Sequence, residues 1–425
     1  MLDIKLIRAE PDLVRAAATK KRMAFDVDRV LELDADLRER GQRVDELRSR
    51  QKAAGKELKG ADAERREALL AEQKTLKAEL KGLEEGVAPL KEELDRLLLL
   101  APNPPAPEVP DGEDDNDNVE LRRVGEPREF GFEARDHVSL AQAQGWLETE
   151  AAGRISGSRN YFLMGDLALL EGAVMRFALD CLVSKGFVPL SVPTLVRTDI
   201  MYGTGYFPGG EDQAYRCDER DDLCLVGTSE VPVTALHGES ILDSGDLPKR
   251  YVALSTCYRR EAGTYGKDTR GLYRVHQFQK VEQVIVDVSD EARSLEHHES
   301  ILANSEELLQ QLDLPYRVVN VCGGDLGQAQ VQKFDIETWM PSRESFGETH
   351  SASRFHDFQA RRLKMRYRDG DGKVRFCHTL NNTVAASTRM LIALVENHQT
   401  EAGQVAVPAP LRPYLGGREL VGRAL

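Results

Sequence analysis

Residues 257–282 form the most informative segment of the chain and read CYRREAGTYGKDTRGLYRVHQFQKVE. Two strand-like runs flank a loop that is rich in glycine and in cationic residues. Because side chains alternate between the two faces of a strand, Arg259 and Glu261 are predicted to share one face of the first strand. The same alternation places a second set on one face of the return strand: His276, Phe278, Lys280 and Glu282. The segment therefore predicts a β-hairpin on which charged groups and an aromatic ring converge.

The chemistry of this face suits a ligand that carries phosphates and a planar base. Arginine binds phosphate oxygens through a planar fork of N–H donors, and Phe278 can stack on adenine. Lys267, Arg270 and Arg274 can hold the remaining phosphates. A solvated hairpin with exposed charges is the alternative and explains any single residue. Unpaired Arg and Glu on the inner face of a central strand would be costly, so we interpret the segment as a nucleotide site.

The composition indicates a soluble globular protein of two or three domains. The 425 residues are 41% hydrophobic and 30% charged. No stretch approaches the roughly 18 consecutive apolar residues of a membrane helix, and the N-terminus lacks the apolar core of a signal peptide. The six cysteines form no Cys-x-x-Cys pair, so we expect reduced thiols and no zinc knuckle. These features predict a cytoplasmic protein with no membrane partner.

Residues 27–100 are predicted to form two long helices that fold back as an antiparallel coiled coil, each roughly 45–55 Å long. Apolar residues recur at spacings of three and four, which lays a stripe along one side of each helix. The predicted seam comprises Val30, Leu33, Leu37, Val44, Leu47, Ala54 and Leu58, then Leu69, Leu76, Leu80, Leu83, Val87, Leu90, Leu94 and Leu97. Gly55 and Gly60 indicate the turn, and Pro89 predicts a kink or break near 85–88.

The charge distribution decides between two roles for this hairpin. A heptad seam alone favours a dimerisation coiled coil. The net charge of the whole chain is −14, which argues against a nucleic-acid binder, but residues 38–81 carry 13 Lys or Arg and nine Asp or Glu. A basic tip on an acidic body can bind RNA locally, so we interpret the hairpin as an RNA-binding arm.

A proline-rich segment separates the hairpin from the remainder of the chain. Residues 101–118 hold five prolines and six acidic residues but no Lys or Arg, which predicts a linker. From about residue 120 onward, helical runs mix with β-branched stretches such as 251–254 and 281–288. This mixture predicts an α/β or α+β domain of about 300 residues.

Three ordered motifs resemble those of class II aminoacyl-tRNA synthetases. Tyr258 to Glu261, with the loop and Phe278, resembles motif 2. Gly186 to Pro193 is similar to motif 1, and Arg389 to the motif 3 arginine. Further segments resemble bacterial seryl-tRNA synthetases: 227–230, 261–272, 276–282, 357–362, 378–382 and 407–414. The likeness covers nearly the whole chain, including the hairpin.

This resemblance implies an α+β fold, in which an N-terminal antiparallel helical hairpin precedes a catalytic domain built on a mainly antiparallel sheet. The implied domains are residues 1–105, with the arm at about 27–100, a linker at 106–119 and a catalytic domain at 120–425. The implied enzyme activates L-serine with ATP to seryl-adenylate and transfers it to the 3′ end of tRNA(Ser). The resemblance further implies tRNA(Sec) as a second acceptor, Mg²⁺ as cofactor and a homodimer formed through motif 1.

The same resemblance implies roles for individual residues. The implied serine site comprises Thr228, Ser229, Glu230, Glu282, Asn381 and Thr383. The implied ATP site comprises Arg259, Arg260, Glu261, Arg274, Val275, Phe278, Glu348, Thr349, His350, Ser351 and Arg389. Arg259, Glu348 and Arg389 are implied to be catalytic. Glu348 and Ser351 are implied to bind Mg²⁺, which prefers hard oxygen ligands.

Several residues depart from the family pattern. Where the family commonly has Arg-Glu-Ile-Ser-Ser-Cys-Ser, residues 347–353 read Gly-Glu-Thr-His-Ser-Ala-Ser. A catalytic histidine at position 350 is one interpretation. We favour a His350 that faces away from the metal, because neither reaction step requires a base there. Arg260 replaces a usual serine, and Asn382 and Thr388 replace glycines.

Two other functions compete with a tRNA ligase. A synthetase-like ligase that loads a carrier protein would share the first reaction step, but such relatives lack the long helical arm. A catalytically inactive coiled-coil adaptor would have no need of the charged set Arg259, Glu261, Glu282, Glu348 and Arg389. The arm and this charged set together therefore favour the ligase.

Overall fold

The structure, a computed structural model, describes residues 1–218, 220–263 and 271–425. The chain divides into two units, Met1–Pro104 and Pro105–Leu425. Two of the cations predicted to hold phosphates, Lys267 and Arg270, lie outside the described residues.

The N-terminal unit is helical. Its helices are α1 (Ile4–Ala9), α2 (Pro11–Lys20), α3 (Val27–Glu57) and α4 (Ala63–Leu100). The two long helices begin at aspartate caps: Asp26 accepts from the Arg29 N–H and Asp62 from the Arg65 N–H, both at 2.9 Å. Such caps satisfy N–H groups that have no partner in the first turn of a helix. Helices α3 and α4 then pack side by side as the predicted antiparallel hairpin.

The predicted seam lies between α3 and α4. Its most buried members are Val30, Leu33, Val44, Leu47, Ala54, Leu69, Leu76, Leu80 and Leu94. Gly55 lies inside α3, so the turn comes later than predicted, at residues 58–62. Helix α4 continues through Pro89, so the helix does not break there, and the alternative, a kink near 85–88, stays a prediction. Proline removes one backbone hydrogen bond, and packing along the remainder of this 38-residue helix outweighs that loss.

Ion pairs along the hairpin neutralise many of its cations. Five of them join α3 to α4: Arg29–Glu93 at 2.9 Å, Arg43–Glu79 at 2.7 Å, Arg48–Glu84 at 2.9 Å, Arg50–Glu72 at 3.1 Å and Glu57–Arg65 at 2.7 Å. Exposed pairs of this kind contribute little to stability. Within this fully described unit, a group of cations in the basic segment makes no ion pair: Lys52, Lys56, Lys59, Arg66, Lys74 and Lys77. They flank the turn, so the unbalanced positive charge of the arm lies at its tip.

The second unit combines helices with strands. Its helices are α5 (His137–Gln144), α6 (Glu150–Ser156), α7 (Gly165–Ser184), α8 (Thr198–Thr204), α9 (Glu230–Ala235), α10 (Glu291–Gln311), α11 (Phe358–Leu363) and α12 (Ser387–Asn397). Its strands are β1 (Val119–Val124), β2 (Leu147–Glu148), β3 (Phe162–Leu163), β4 (Val188–Leu190), β5 (Leu195–Arg197), β6 (Tyr215–Arg216), β7 (Leu223–Leu225), β8 (Ile241–Asp243), β9 (Lys249–Tyr258), β10 (Gln277–Asp287), β11 (Tyr316–Asn320), β12 (Gln332–Met340), β13 (Ser345–His356), β14 (Arg366–Arg368), β15 (Val374–Phe376), β16 (His378–Ala386), β17 (Val405–Ala406) and β18 (Leu420–Val421). Across the described ranges, no helix has both the length and the apolarity that crossing a bilayer requires.

Eight strands form the central sheet, in the order β1-β11-β12-β13-β16-β10-β9-β4. Neighbouring strands are antiparallel, except that β4 pairs with β9 in parallel. Strands β9 and β10 form the predicted hairpin, with Phe278 opposite Cys257 and Glu282 opposite Ala253. The predicted α+β fold with a mainly antiparallel sheet is therefore confirmed.

The two faces of this sheet have different environments. Helices α7, α10 and α12 cover one face, where Ile285 of β10 belongs to the same buried cluster as Leu170, Ile301 and Leu391. Each such side chain stabilises the fold by about 1.5–3 kcal/mol when fully buried. Since successive side chains alternate, Lys280 and Glu282 point to the opposite face.

The proline-rich segment packs against the sheet unit. Apart from a single 3₁₀ turn at Asp115–Asp117, residues 105–118 contain no helix or strand. Ala106 and Val109 are buried together with Leu326 and Val331. The Ala106 N–H also donates to the Val331 carbonyl oxygen at 2.9 Å. The predicted linker is therefore attached to the second unit through buried apolar contacts, and the domain limits drawn from the sequence remain predictions.

Candidate active site

A cavity lies on the face of the sheet opposite α7, α10 and α12. Among the described residues it is lined by Tyr206, Thr228, Glu230, Arg259, Glu261, Tyr273, Val275, Phe278, Lys280, Glu282, Gln330, Glu348, Thr349, His350, Ser351, Ser353, Asn381, Thr383, Ala386, Thr388 and Arg389. The structure thus brings together every residue predicted for the serine and ATP sites except Ser229, Arg260 and Arg274.

These three residues lie beside the cavity. Ser229 is buried directly before α9, and its hydroxyl has no hydrogen-bond partner among the described groups. The guanidinium carbon of Arg260 lies 5.8 Å from the centre of the Tyr215 ring. The main chain of Arg260 is bound to a neighbouring loop, where its N–H donates to the Gln213 carbonyl oxygen at 2.9 Å, and its side chain is exposed. Arg274 lies behind Glu261, with 3.5 Å between its Nη1 and the carboxylate Oε2.

Main-chain contacts fix Arg259 just beyond the end of β9. Its N–H donates to the His276 carbonyl oxygen at 3.0 Å, and its side-chain Nε donates to the Gly227 carbonyl oxygen at 3.3 Å. Its guanidinium carbon lies 5.4 Å from the centre of the Phe278 ring. Glu261 has left the strand, because its φ is +52°. Its place at the cavity follows from a turn and not from the strand alternation that the sequence predicted.

Carboxylates mark one end of the cavity. The Glu282 Oε2 lies 2.5 Å from the Lys280 Nζ and accepts from the Thr383 hydroxyl at 3.2 Å. The Glu230 Oε1 accepts from the Gln359 amide at 2.8 Å. Burial, reinforced by the negative charge of Glu282, raises the pKa of Glu230 to about 7, although Gln359 and Lys280 oppose the rise. The arrangement can bind a small cation that also carries a hydrogen-bonding group.

Arginines mark the other end. Arg389 contacts Glu348 twice through Nη1: the carboxylate Oε2 at 3.2 Å and the carbonyl oxygen at 2.8 Å. Burial alone would raise the pKa of Glu348, but Arg389, Lys333 and Arg259 outweigh it and hold the pKa well below its usual range. Glu348 is therefore ionised at neutral pH. The guanidinium of Arg259 makes no ion pair among the described residues, which leaves it available to an anion.

Glu348 has one candidate partner for metal binding on its own strand. Ser351 lies three residues further along β13 and lines the same cavity. No cluster of three or more His, Cys, Asp or Glu side chains suited to a metal occurs in the described ranges. Mg²⁺ is commonly held by one or two protein carboxylates together with substrate phosphates, so the pair Glu348 and Ser351 fits such an ion.

His350 is a buried neutral side chain. Its Nδ1 hydrogen-bonds the Thr349 hydroxyl at 2.7 Å. Burial lowers its pKa to about 4, which keeps the ring uncharged at neutral pH. A neutral imidazole held in this way does not supply a cation to the site.

Several groups at the cavity were not predicted. Strand alternation placed Lys280 on the correct face but indicated no role for it, although its spacing from Glu282 was a usable signal. Tyr273 donates to the Glu348 carbonyl oxygen at 3.3 Å, and its ring centre lies 4.6 Å from the Arg389 guanidinium carbon. Gln359 contacts Glu230 from a helix 129 residues away along the chain, and no sequence pattern links the two.

Known families match both units of the chain. Residues 1–105 match the seryl-tRNA synthetase N-terminal domain, and residues 215–398 match the tRNA synthetase class II core domain (G, H, P, S and T). A serine–tRNA ligase of Deinococcus radiodurans is 48% identical, and the match covers 100% of this chain and 99% of that protein. A serine–tRNA ligase of Thermobifida fusca is 44% identical, with 98% of each covered.

Solved structures agree with the sequence matches. A crystal structure of seryl-tRNA synthetase from Pyrococcus horikoshii complexed with ATP matches with a TM-score of 0.92 at 39% identity, over 100% of both chains. A cytoplasmic serine–tRNA ligase from Naegleria fowleri in complex with AMP matches with a TM-score of 0.89 at 34% identity, over 100% of this chain and 99% of that one. On these full-length similarities, the chain belongs to the seryl-tRNA synthetase family and is a class II aminoacyl-tRNA ligase.

Proposed function

We propose that this chain activates L-serine with ATP and transfers the seryl group to the 3′ end of tRNA(Ser). One observation carries the proposal: a single cavity holds arginines at one end and the carboxylates of Glu230 and Glu282 at the other. ATP is an anion with a planar base, and serine presents an ammonium and a hydroxyl. The charges of the two substrates thus complement the two ends of the cavity.

The activation step depends on positioning and charge neutralisation. The serine carboxylate attacks the α-phosphorus of ATP, an O–P bond forms, and the bond to pyrophosphate breaks. Arg259 binds the α-phosphate and Arg389 the γ-phosphate, while Phe278 stacks on adenine. Glu261 accepts from the adenine amino group. No protein base is needed, because the attacking carboxylate is already ionised.

The phosphate end also suits a magnesium ion. Glu348 and Ser351 would hold it, and it would neutralise charge on the phosphates when bound. The ionised state of Glu348 suits this role. Arg389 contacts the same Glu348 carboxylate, so this arginine and the cation share one anionic partner.

The amino acid occupies the carboxylate end. Glu230 and Glu282 balance the ammonium, and Thr228, Asn381 and Thr383 contact the serine atoms. Asn381 is buried and lines the cavity, and its side chain hydrogen-bonds Glu230, so its amide lies next to the carboxylate that would bind the ammonium. A site built around a hydroxyl rejects alanine strongly, because alanine leaves buried polar groups unpaired.

The acceptor is a transfer RNA whose terminal 3′ hydroxyl attacks the seryl-adenylate. The N-terminal arm would bind this RNA through the cations at its tip. We extend the proposal to tRNA(Sec) where it exists, and to a cytoplasmic location.

A homodimer is the proposed assembly. Strand β4 lies at an edge of the central sheet within Gly186 to Pro193, the segment that resembles motif 1. Val188 on β4 and Leu169 and Val183 on α7 are large apolar residues that are exposed. Exposed sheet edges are normally covered, and a second copy joined at β4 and α7 would cover this one.

The function is tested by amino-acid-dependent pyrophosphate exchange with serine, threonine, alanine and glycine. We expect exchange with serine and a roughly 10⁴- to 10⁵-fold lower kcat/KM with alanine, the discrimination of a site that hydrogen-bonds a substrate hydroxyl. Glu282→Gln should abolish serine-dependent exchange, because it leaves Lys280 without its counter-ion and removes a charge that balances the ammonium. The control is Glu337→Gln, which removes a similarly ion-paired carboxylate outside the cavity, 2.6 Å from Arg317. Near-normal kcat/KM in Glu282→Gln would reject the pocket assignment.

The pH dependence of serine activation provides a second test. Glu230 must be ionised to bind an ammonium, and its pKa is about 7. The kcat/KM for serine should therefore fall as the pH drops below about 7, by roughly tenfold per pH unit, and stay level above it. Glu230→Gln should remove this acid limb and lower the plateau. An acid limb that survives the substitution unchanged would assign it to another group.

The arm is tested by the salt dependence of tRNA binding. Lys59→Ala should weaken binding and reduce the slope of log K against log salt by about one for each phosphate that the arm no longer neutralises. Arg50→Ala should have a smaller effect, because Glu72 already neutralises Arg50. An unchanged slope in Lys59→Ala, or a larger change in Arg50→Ala, would contradict the role given to the tip.

The dimer is tested by sedimentation velocity on paired edge variants. Val188→Glu should shift the protein toward the 47.4 kDa monomer, because it places charge at the proposed interface. Val119→Glu is the control, since Val119 lies on β1 at the opposite edge with similar exposure, 46% against 51%. Dimers that persist in Val188→Glu, or that dissociate equally in both variants, would place the interface elsewhere.

A further inference from the structure

A buried glutamine behind the carboxylate end joins four elements. Gln359 is the second residue of α11 and is 1% exposed. Its Nε2 donates to the Glu230 Oε1 at 2.8 Å and to the Thr204 carbonyl oxygen at 2.9 Å. Its Oε1 accepts from the Thr379 hydroxyl at 2.6 Å. The amide thereby connects α11 with the end of α8, the start of α9 and β16.

These partners determine which way the amide faces. A carbonyl oxygen and an ionised carboxylate can only accept, so Thr204 and Glu230 both require the NH₂ end of Gln359. The carbonyl end is left for the hydroxyl of Thr379. Exchanging the two ends would place oxygen against oxygen at Thr204 and Glu230. A buried amide with all these bonds made has one orientation.

This orientation constrains Glu230. Gln359 engages Oε1 and Asn381 also hydrogen-bonds the carboxylate, while Glu230 lines the cavity, so the carboxylate is held by protein donors and still faces a ligand. On the other side, Lys280 and Thr383 restrain Glu282 in the same manner. Each carboxylate is thus held by protein donors before any substrate arrives.

We propose that Gln359 is a positioning residue for amino-acid selection: it fixes the Glu230 carboxylate in the orientation in which it contacts the substrate. The inference rests on the proposed function, in which Glu230 binds serine. Gln359 does not line the cavity among the described residues and acts only through Glu230.

Fixing Glu230 matters most for excluding threonine. Threonine carries the same ammonium and hydroxyl as serine and differs by one methyl group, so only the shape of the pocket distinguishes them. A carboxylate that can rotate about its side chain makes room for a methyl group. A carboxylate held by Gln359 does not yield in this way.

The test is Gln359→Met, which keeps the volume of the side chain but removes all three hydrogen bonds. The KM for serine should rise roughly tenfold to a hundredfold, the loss expected for a hydrogen bond to a charged group, while the KM for ATP stays within about twofold. The preference for serine over threonine should fall by roughly tenfold or more. Thr379→Val removes the hydrogen bond to the amide oxygen of Gln359 and should change both quantities in the same direction, by less.

The pH profile separates positioning from mere loss of structure. The groups that face Glu230 are Glu282 and Lys280 of β10, Gln359 of α11 and Asn381 of β16. Removing the Gln359 donor withdraws stabilisation from the Glu230 anion, so the acid limb of kcat/KM for serine should move to higher pH in Gln359→Met.

Gln399 provides a matched control. It is also buried, and its amide donates to the carbonyl oxygens of Arg135 at 2.9 Å and Glu396 at 3.0 Å while accepting from the Arg135 N–H at 2.8 Å. Gln399→Met should lower the melting temperature without moving the acid limb or the serine-to-threonine ratio. Folded Gln359→Met with the wild-type limb and ratio would overturn the inference; if that variant does not fold, Thr379→Val decides by the same two readouts.

Failure of this inference differs from failure of the proposed function. If the wild-type protein shows no serine-dependent exchange, the proposed function is wrong. If the wild type is active and Glu230→Gln removes the acid limb, but Gln359→Met does not shift it, only the role of Gln359 is rejected.

Discussion

Strands β9 and β10 pair in one antiparallel register, and every later feature of the site depends on it. This register turns Val281 and Ile285 toward the helices and Lys280 and Glu282 toward the cavity. A slip of one residue would bury two charges in the apolar core and expose the core residues, at a cost far beyond the stability of a domain. The same burial that drives folding therefore also holds the charged groups of the site in place.

The cavity holds its charges in two sets, the arginines with Glu348 and the carboxylates of Glu230 and Glu282 with Lys280. Arg259 and Arg389 lie at one end, and Glu230 and Glu282 lie at the other, with Lys280 paired to Glu282. Such an arrangement is preorganised: the dipoles are oriented before substrate binds, and a reaction that moves charge between the two ends needs little reorganisation. The proposed activation step is of this kind, since negative charge passes from the attacking carboxylate toward the departing pyrophosphate.

Local periodicity and local chemistry were enough to predict much of the fold and of the site. Alternation along 276–282 placed Phe278, Lys280 and Glu282 on the cavity face, and the heptad spacing placed Leu47 and Leu76 in the seam. His276, predicted for the same face, precedes β10 and instead contacts the Arg259 carbonyl oxygen at 2.9 Å. Glu261 lines the cavity as predicted, although a turn and not the strand alternation places it there. Arg260 was predicted for the ATP site but does not line the cavity among the described residues. The contact between Gln359 and Glu230 could not be predicted from the sequence, because only the tertiary fold brings α11 against α9. Two other predictions were made from local sequence signals that packing outweighs. Helix α4 continues through Pro89, and the segment predicted to be a linker buries apolar residues against the sheet unit.

The guanidinium of Arg259 makes no ion pair within the described residues. This affects the stability of the folded protein. The nearby charge of Glu348 already favours this cation in the folded state, and an anionic nucleotide that enters the cleft adds a direct partner for the guanidinium. A ligand present at a hundred times its dissociation constant stabilises the folded chain by about 2.7 kcal/mol. Resistance to unfolding and to proteolysis would then increase with the concentration of nucleotide in the cell. The enzyme would be degraded faster when nucleotide is scarce.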